Sequence, residues 1–267
     1  MICIDQSMYM LNLVRKLSNN CIEKIIRCKN ILKEQMIVEN SSTKYIGFLS
    51  RFINFLEDVL DDAWCEDIFV DKNIYDSRPI IPGTIEVEPY RCSYEPEESI
   101  RVFSGQWDID IDITIGKGYY SLNELYFLIP SIYVETLHYL MKSYASKTIA
   151  NKREYFLAIL FNGKGFLVEG EVNRVRIPFV PHCLSSHTHP SHMPVPSKGD
   201  IEMILYMMLN RGFLHVIETV GASLYIYRVR PLSEDDLVKL RSIESLNNYR
   251  DVISVFKSIE SVRLEYR

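Results

Sequence analysis

The sequence predicts an α/β chain of the α+β kind: a mixed β-sheet flanked by helices, preceded by a helical and β accessory region. Three patterns carry this expectation. Apolar residues recur at helical spacing through the first sixty positions, strict two-residue alternation marks residues 107–116, and short apolar strands and helices take turns from Leu122 onward. The chain has 267 residues, 47% hydrophobic and 24% charged, which suffices for a buried core and is too apolar for disorder. A formal net charge of -5 turns the expectation away from nucleic acid, whose partners carry a basic excess. No apolar run reaches the roughly 18–20 residues that span a bilayer. The start, "MICIDQSMYMLNLVRKL", lacks a basic segment ahead of an apolar run, so no secretory leader is expected. Six cysteines (3, 21, 28, 65, 92 and 183) show no disulfide-like or Cys-x-x-Cys spacing, and they read as reduced thiols of a cytoplasmic protein.

In chain order, Leu11, Val14, Cys21, Ile25, Cys28 and Leu32 form one stripe of a helix over 8–38. Cys21 and Cys28 stand about 10 Å apart on it, too far to share a zinc. A second amphipathic helix is expected over "NSSTKYIGFLSRFINFLEDVLDDAW", opened by Ser/Thr caps. The proline-punctuated stretch "RPIIPGTIEVEPYRCSYEPEE" suits turns and short edge strands. Next, "QWDIDIDITIG" places Ile109, Ile111, Ile113 and Ile115 on one strand face and Asp108, Asp110 and Asp112 on the other, a solvated one. Gly116 and Gly118 then mark a boundary, giving an accessory region over 1–120.

A strand "ELYFLI" is expected next, then a helix over "SIYVETLHYLMKSYASKT" with Pro130 near its first turn. Strands "EYFLAILF" and "GFLVEGEV" are joined by a turn at Asn162-Gly163-Lys164-Gly165. Extended segments "VRIPFVP" and "CLSSHTH", a helix "DIEMILYMMLNR" and a strand pair "FLHVIETV" and "SLYIYRV" complete a second domain over 121–231. Ser233, followed by three acidic residues, caps a helical extension over 232–267.

The densest chemistry lies in "HTHPSHMPVPSKGD". Residues two apart on a strand share a face, so His187 and His189 present two imidazoles side by side. Asp200 falls in the first turn of the following helix and reaches back towards them. Two imidazoles and a carboxylate are the three-ligand set of a catalytic zinc, with a fourth position left for water. Such an ion lowers the pKa of its water from above 15 to about 7. Ser197-Lys-Gly-Asp200 is also an ordinary capping box, and the two readings are compatible. A chain of this composition acquires His-x-His-x7-Ser-x2-Asp by chance on the order of once in a few thousand cases.

This stretch resembles the JAMM motif of the MPN-domain zinc metallopeptidases, His-Ser/Thr-His-x7-Ser-x2-Asp, in its compact prokaryotic or archaeal form. The likeness spans roughly Leu122 to Pro231, and it implies the family's cytidine-deaminase-like fold there. By resemblance, His187, His189 and Asp200 hold Zn2+. Glu154, just after the first helix of that domain, takes a proton from the metal's water and returns one to the leaving amine. Ser197 steadies the oxyanion. Glu169 and Glu171 are the alternative carboxylates. The family's glycine three residues after the glutamate is replaced here by Leu157. His192, His182 and Cys183 lie close in sequence, but none reads as a ligand. The helix ends at Gly212 and the next strand follows at once, leaving no room for the inserts of deubiquitinating members.

The resemblance therefore implies an isopeptidase acting at the C-terminus of ubiquitin-like or sulfur-carrier proteins. A non-catalytic MPN scaffold and a JAMM hydrolase with another substrate are the alternatives; inactive members have generally lost ligands that stand intact here. The first 120 residues are left with a positioning, bracing or homodimerising role.

Overall fold

The computed structural model describes residues 35–172, 180–246 and 248–267. Two mixed sheets organise it. The larger has seven strands in the order β1-β7-β6-β8-β9-β10-β11: Gln35–Val38, Gly165–Val172, Arg153–Ile159, Leu184–Thr188, Leu214–Glu218, Ser223–Arg228 and Val262–Tyr266. Every pairing in it is antiparallel except β8 with β9. The smaller has four, in the order β4 (Asp112–Ile115), β3 (Thr84–Tyr90), β2 (Asp67–Val70) and β5 (Tyr120–Ser121).

Helices cover both faces of the seven-stranded sheet. One face, with Leu157, Ile159, Leu184, Val216 and Tyr225, packs under α1 (Ser41–Asp62), α4 (Leu122–Tyr126), α5 (Leu128–Thr136) and α6 (His138–Asn151). That cluster runs on into Ile68, Val70, Ile85 and Val87 of the smaller sheet, which is framed by α2 (Asn73–Asp76) and α3 (Pro96–Gln106). The other face, with Ile217, Leu224 and Ile226, packs under α7 (Lys198–Leu209), α8 (Glu234–Ser242) and α9 (Tyr249–Ser258). Period-two alternation explains the division: odd residues of β6 face α1, even ones face α7.

Several expectations change. The helix over 8–38 falls mostly outside the described residues, and its last four positions are β1, extended because they pair with β7. "ELYFLI" is helical: Glu124 Oε2 accepts the Ser121 N–H at 2.8 Å, a capping box that starts α4 where an apolar run suggested a strand. Pro130 sits at the third position of α5, where its absent N–H costs no helix bond. The alternating acidic stretch is a strand only over Asp112–Ile115, because α3 runs to Gln106 and Asp108 turns the chain with φ 51. Asp108, Asp110 and Asp112 are solvent-exposed as expected. The strand at Thr84–Tyr90 lies inside the small sheet, not at its edge.

The reduced-thiol expectation is corrected at one pair: Cys65 and Cys92 form a disulfide. Backbone bonds bring them together, with Glu66 N donating to Tyr90 O at 3.0 Å and Ser93 N to Ala63 O at 3.1 Å. Cys183 is a free, buried thiol. No helix among the described residues is long and apolar enough to cross a membrane.

Candidate metal centre

Strand β8 lies mid-sheet, and its Ser185 and His187 point towards α7. His189 continues that face just beyond the strand, held by its backbone N–H to Glu218 O at 2.9 Å. The chain then loops to Ser197, the N-cap of α7. Ser197 Oγ accepts the Asp200 N–H at 3.3 Å, and Asp200 Oδ2 accepts the Ser197 N–H at 2.6 Å. Thr219 Oγ1 donates to His192 O at 2.9 Å and ties the loop to the sheet. The cap aims Asp200 at both imidazoles. His187 Nε2 stands 3.0 Å from Asp200 Oδ1, His189 Nε2 3.1 Å from Oδ2, and the two Nε2 atoms are 2.9 Å apart.

Nitrogen and oxygen donors around a tetrahedral zinc lie about 3.3 Å from one another, given bonds near 2.0–2.2 Å. The three donors here are close to that spacing, all within 4.8 Å of each other and drawn from a largely buried set. Two Nε2 atoms facing each other and one carboxylate are poorly arranged for mutual hydrogen bonding and well arranged for a cation. The residues fit the ion the resemblance implies. Burial tends to raise the Asp200 pKa, but the two imidazoles outweigh it and hold the carboxyl well below the usual range.

Glu154 belongs to the same face. The β6–β8 register ends with Phe156 opposite His187, and Glu154, two residues further on, lies within electrostatic reach of His189 and Asp200. A register shift between Arg153 and Tyr155 marks a bulge at this point, a device that re-aims side chains beside functional sites. Glu154 is half-buried. Burial raises its pKa, His189 lowers it and Asp200 raises it again, leaving it above the ordinary value. A carboxylate shifted upward beside a metal position suits a proton carrier. Glu169, the rival, pairs with Tyr155 on the opposite face and binds Arg153 at 3.0 Å. The side chain of Glu171 is outside the described residues. Ser197 is exposed at the rim, and His192 is exposed.

The sequence reading missed His215. It is fully buried on β9, with its Nε2 3.1 Å from His187 Nδ1 and its Nδ1 2.8 Å from Ser185 Oγ. It also missed Glu218, wholly buried behind the strand, whose carboxylate meets Tyr133 and His138 at 2.9 Å and Lys142 at 3.3 Å. Beside Ser197, a cleft of about 810 Å³ opens between α7 and the C-terminal helices, lined by Lys198, Ile201, Leu205, Leu237 and Leu246. No protein-family model, no curated protein and no solved structure matches the chain.

Proposed function

We propose that the chain is a zinc-dependent metallopeptidase of the JAMM type, hydrolysing amide or isopeptide bonds at the C-terminus of ubiquitin-like or sulfur-carrier proteins. The observation that carries this is the convergence of His187, His189 and Asp200 on one point, with Glu154 on the same face. The order of elements from α5 to β10 is consistent with an MPN domain.

His187 and His189 would hold the ion through Nε2, and Asp200, fixed by its cap, through its carboxylate. Zinc bound there supplies Lewis acidity and a water acidified to near neutrality. Glu154 would take the proton of the attacking water and pass it to the departing amine. Ser197 Oγ, which accepts from Asp200 N, keeps its own hydrogen free to donate to the oxyanion.

The test couples metal analysis to cleavage of a panel of ubiquitin-like fusions, with and without chelator. Wild type is expected to carry about one zinc and to lose cleavage on chelation. His187→Ala is expected to lose the ion, and Glu154→Gln to keep it while slowing turnover about 10²–10⁴-fold. Undiminished turnover in either folded variant sinks the reading. Zinc bound with no cleavage of any fusion leaves a scaffold.

A further inference from the structure

His187 needs more than its Nε2 to serve as a ligand. If Nε2 offers its lone pair, Nδ1 must carry the proton, and in a dry site that N–H requires an acceptor. The nearest candidate is itself a histidine: His215 Nε2, 3.1 Å away and fully buried on the neighbouring strand. His215 can accept there only if its own proton sits on Nδ1, which faces Ser185 Oγ at 2.8 Å. Ser185 must then accept, and its hydroxyl hydrogen must go elsewhere. Met207 Sδ on α7 lies 3.7 Å from it. A thioether has no proton to give, so the chain has a sense: Ser185 donates to Met207, His215 to Ser185, and His187 to His215.

We propose that His215 is a positioning residue that holds His187 in the Nδ1–H tautomer, with its Nε2 lone pair turned to His189 and Asp200. Ser185 and Met207 set the direction. The inference rests on the metal reading above. It accounts for a polar relay at the centre of a sheet, where Leu214, Val216 and Ile217 on either side of His215 are buried apolar residues. The parallel β8–β9 register, which pairs Ser185 with His215 and His187 with Ile217, brings the relay together.

Two readouts test this without any substrate. In the zinc-loaded wild type, long-range 1H–15N correlation spectra report which nitrogen of each ring is protonated; His187, bound through Nε2, and His215 are both expected as Nδ1–H. Zinc affinity is then measured by competition with a chromophoric chelator. His215→Leu, which fills the site, is expected to weaken zinc about 10–100-fold while keeping the wild-type circular dichroism. His215→Gln, whose carbonyl can accept from His187, is expected to recover part of that loss. If His215→Leu does not fold, Ser185→Ala serves, with a several-fold weakening expected. An Nε2–H tautomer for His215 in the zinc-loaded protein, or wild-type affinity in every folded relay variant, overturns the proposal. The metal reading fails separately, through a wild type that binds no zinc or a His187→Ala variant that binds it unchanged.

Discussion

His182 shows what burial does to an imidazole that is not given a full set of partners. Its Nδ1 lies 2.7 Å from Val180 O, its ring stands edge-on to Phe156, and its Nε2 finds no partner among the described residues. Burial pushes its pKa down from 6.5 to about 4, against a smaller upward pull from Val180. Between those values the unfolded chain takes up a proton that the folded one refuses, so stability falls as pH drops through the window. The gap corresponds to at most about 3 kcal/mol. His215, also pushed well below its ordinary value, acts in the same direction. Urea unfolding of metal-free protein at pH 7.5, 6 and 5 reads this directly. His182→Asn, which keeps an amide donor for Val180 O, is expected to flatten the decline, and an unchanged slope would refute the assignment. At this scale the His187, His189 and Asp200 cluster was legible, because strand alternation and helix capping are local rules that place these residues and the capping Ser197 by spacing alone. Glu154 came into view only through the family resemblance, which places a glutamate just after the first helix. His215 was not legible: its contact with His187 depends on a parallel register between strands 28 residues apart, which no local pattern encodes.

Among elements, the contact of α1 with the β6–β7 turn is set by two glycines. A Cβ on Gly47 would lie 2.4 Å from Gly163 N and 2.6 Å from its Cα, and Gly163 itself has φ +79. Within a helix, glycine to alanine usually stabilises by about 1 kcal/mol. Here the sign reverses, because the added methyl meets backbone, which cannot rotate away. Gly47→Ala is expected to lower stability by about 1–3 kcal/mol, seen as a reduced Tm in calorimetry. A raised or unchanged Tm would mean that the turn moves aside freely. The turn itself was legible from Asn162-Gly163, as were the hairpin strands, β8, α7, β9 and β10, each of which has clear periodicity and a punctuating turn or cap. The failures were elements whose state is decided by a neighbour. Gln35–Val38 became a strand by pairing with β7. Val262–Tyr266 became one beside β10, where a helical extension was expected. Leu122–Tyr126 became helical through Glu124, whose reach back to Ser121 outranks the apolar run.

The whole molecule is tied across its apparent two-part division by a buried ionic cluster. Arg228, on β10, is 1% exposed and lies over the rings of Phe213 and Tyr126. Its guanidinium pairs with Glu57 of α1, which also accepts from Tyr126 and from Arg211 at 2.8 Å. Arg211 bonds Asp58 at 2.7 Å as well. Burial alone would raise the Glu57 pKa; Arg228 and Arg211 overcome it and leave it below the ordinary value. The Glu57 contribution is therefore present above about pH 4.5 and is lost as pH falls further, while Asp58, held above its ordinary value by burial, runs the other way. Removing one partner of a buried pair strands the other, at about 3–5 kcal/mol. Glu57→Ala is expected to cost that much in urea unfolding, because it leaves Arg228 charged and enclosed. Asp58→Asn, at a more exposed carboxylate, should cost less. Adding Arg228→Met to Glu57→Leu should recover much of the loss, since an apolar pair of similar volume needs no counterion. If Glu57→Ala costs under about 1 kcal/mol, the cluster is dispensable and apolar packing alone joins the N-terminal helices to the sheet. If the double variant loses as much stability as the two single variants added together, the two residues act independently and the pairing drawn between them is wrong.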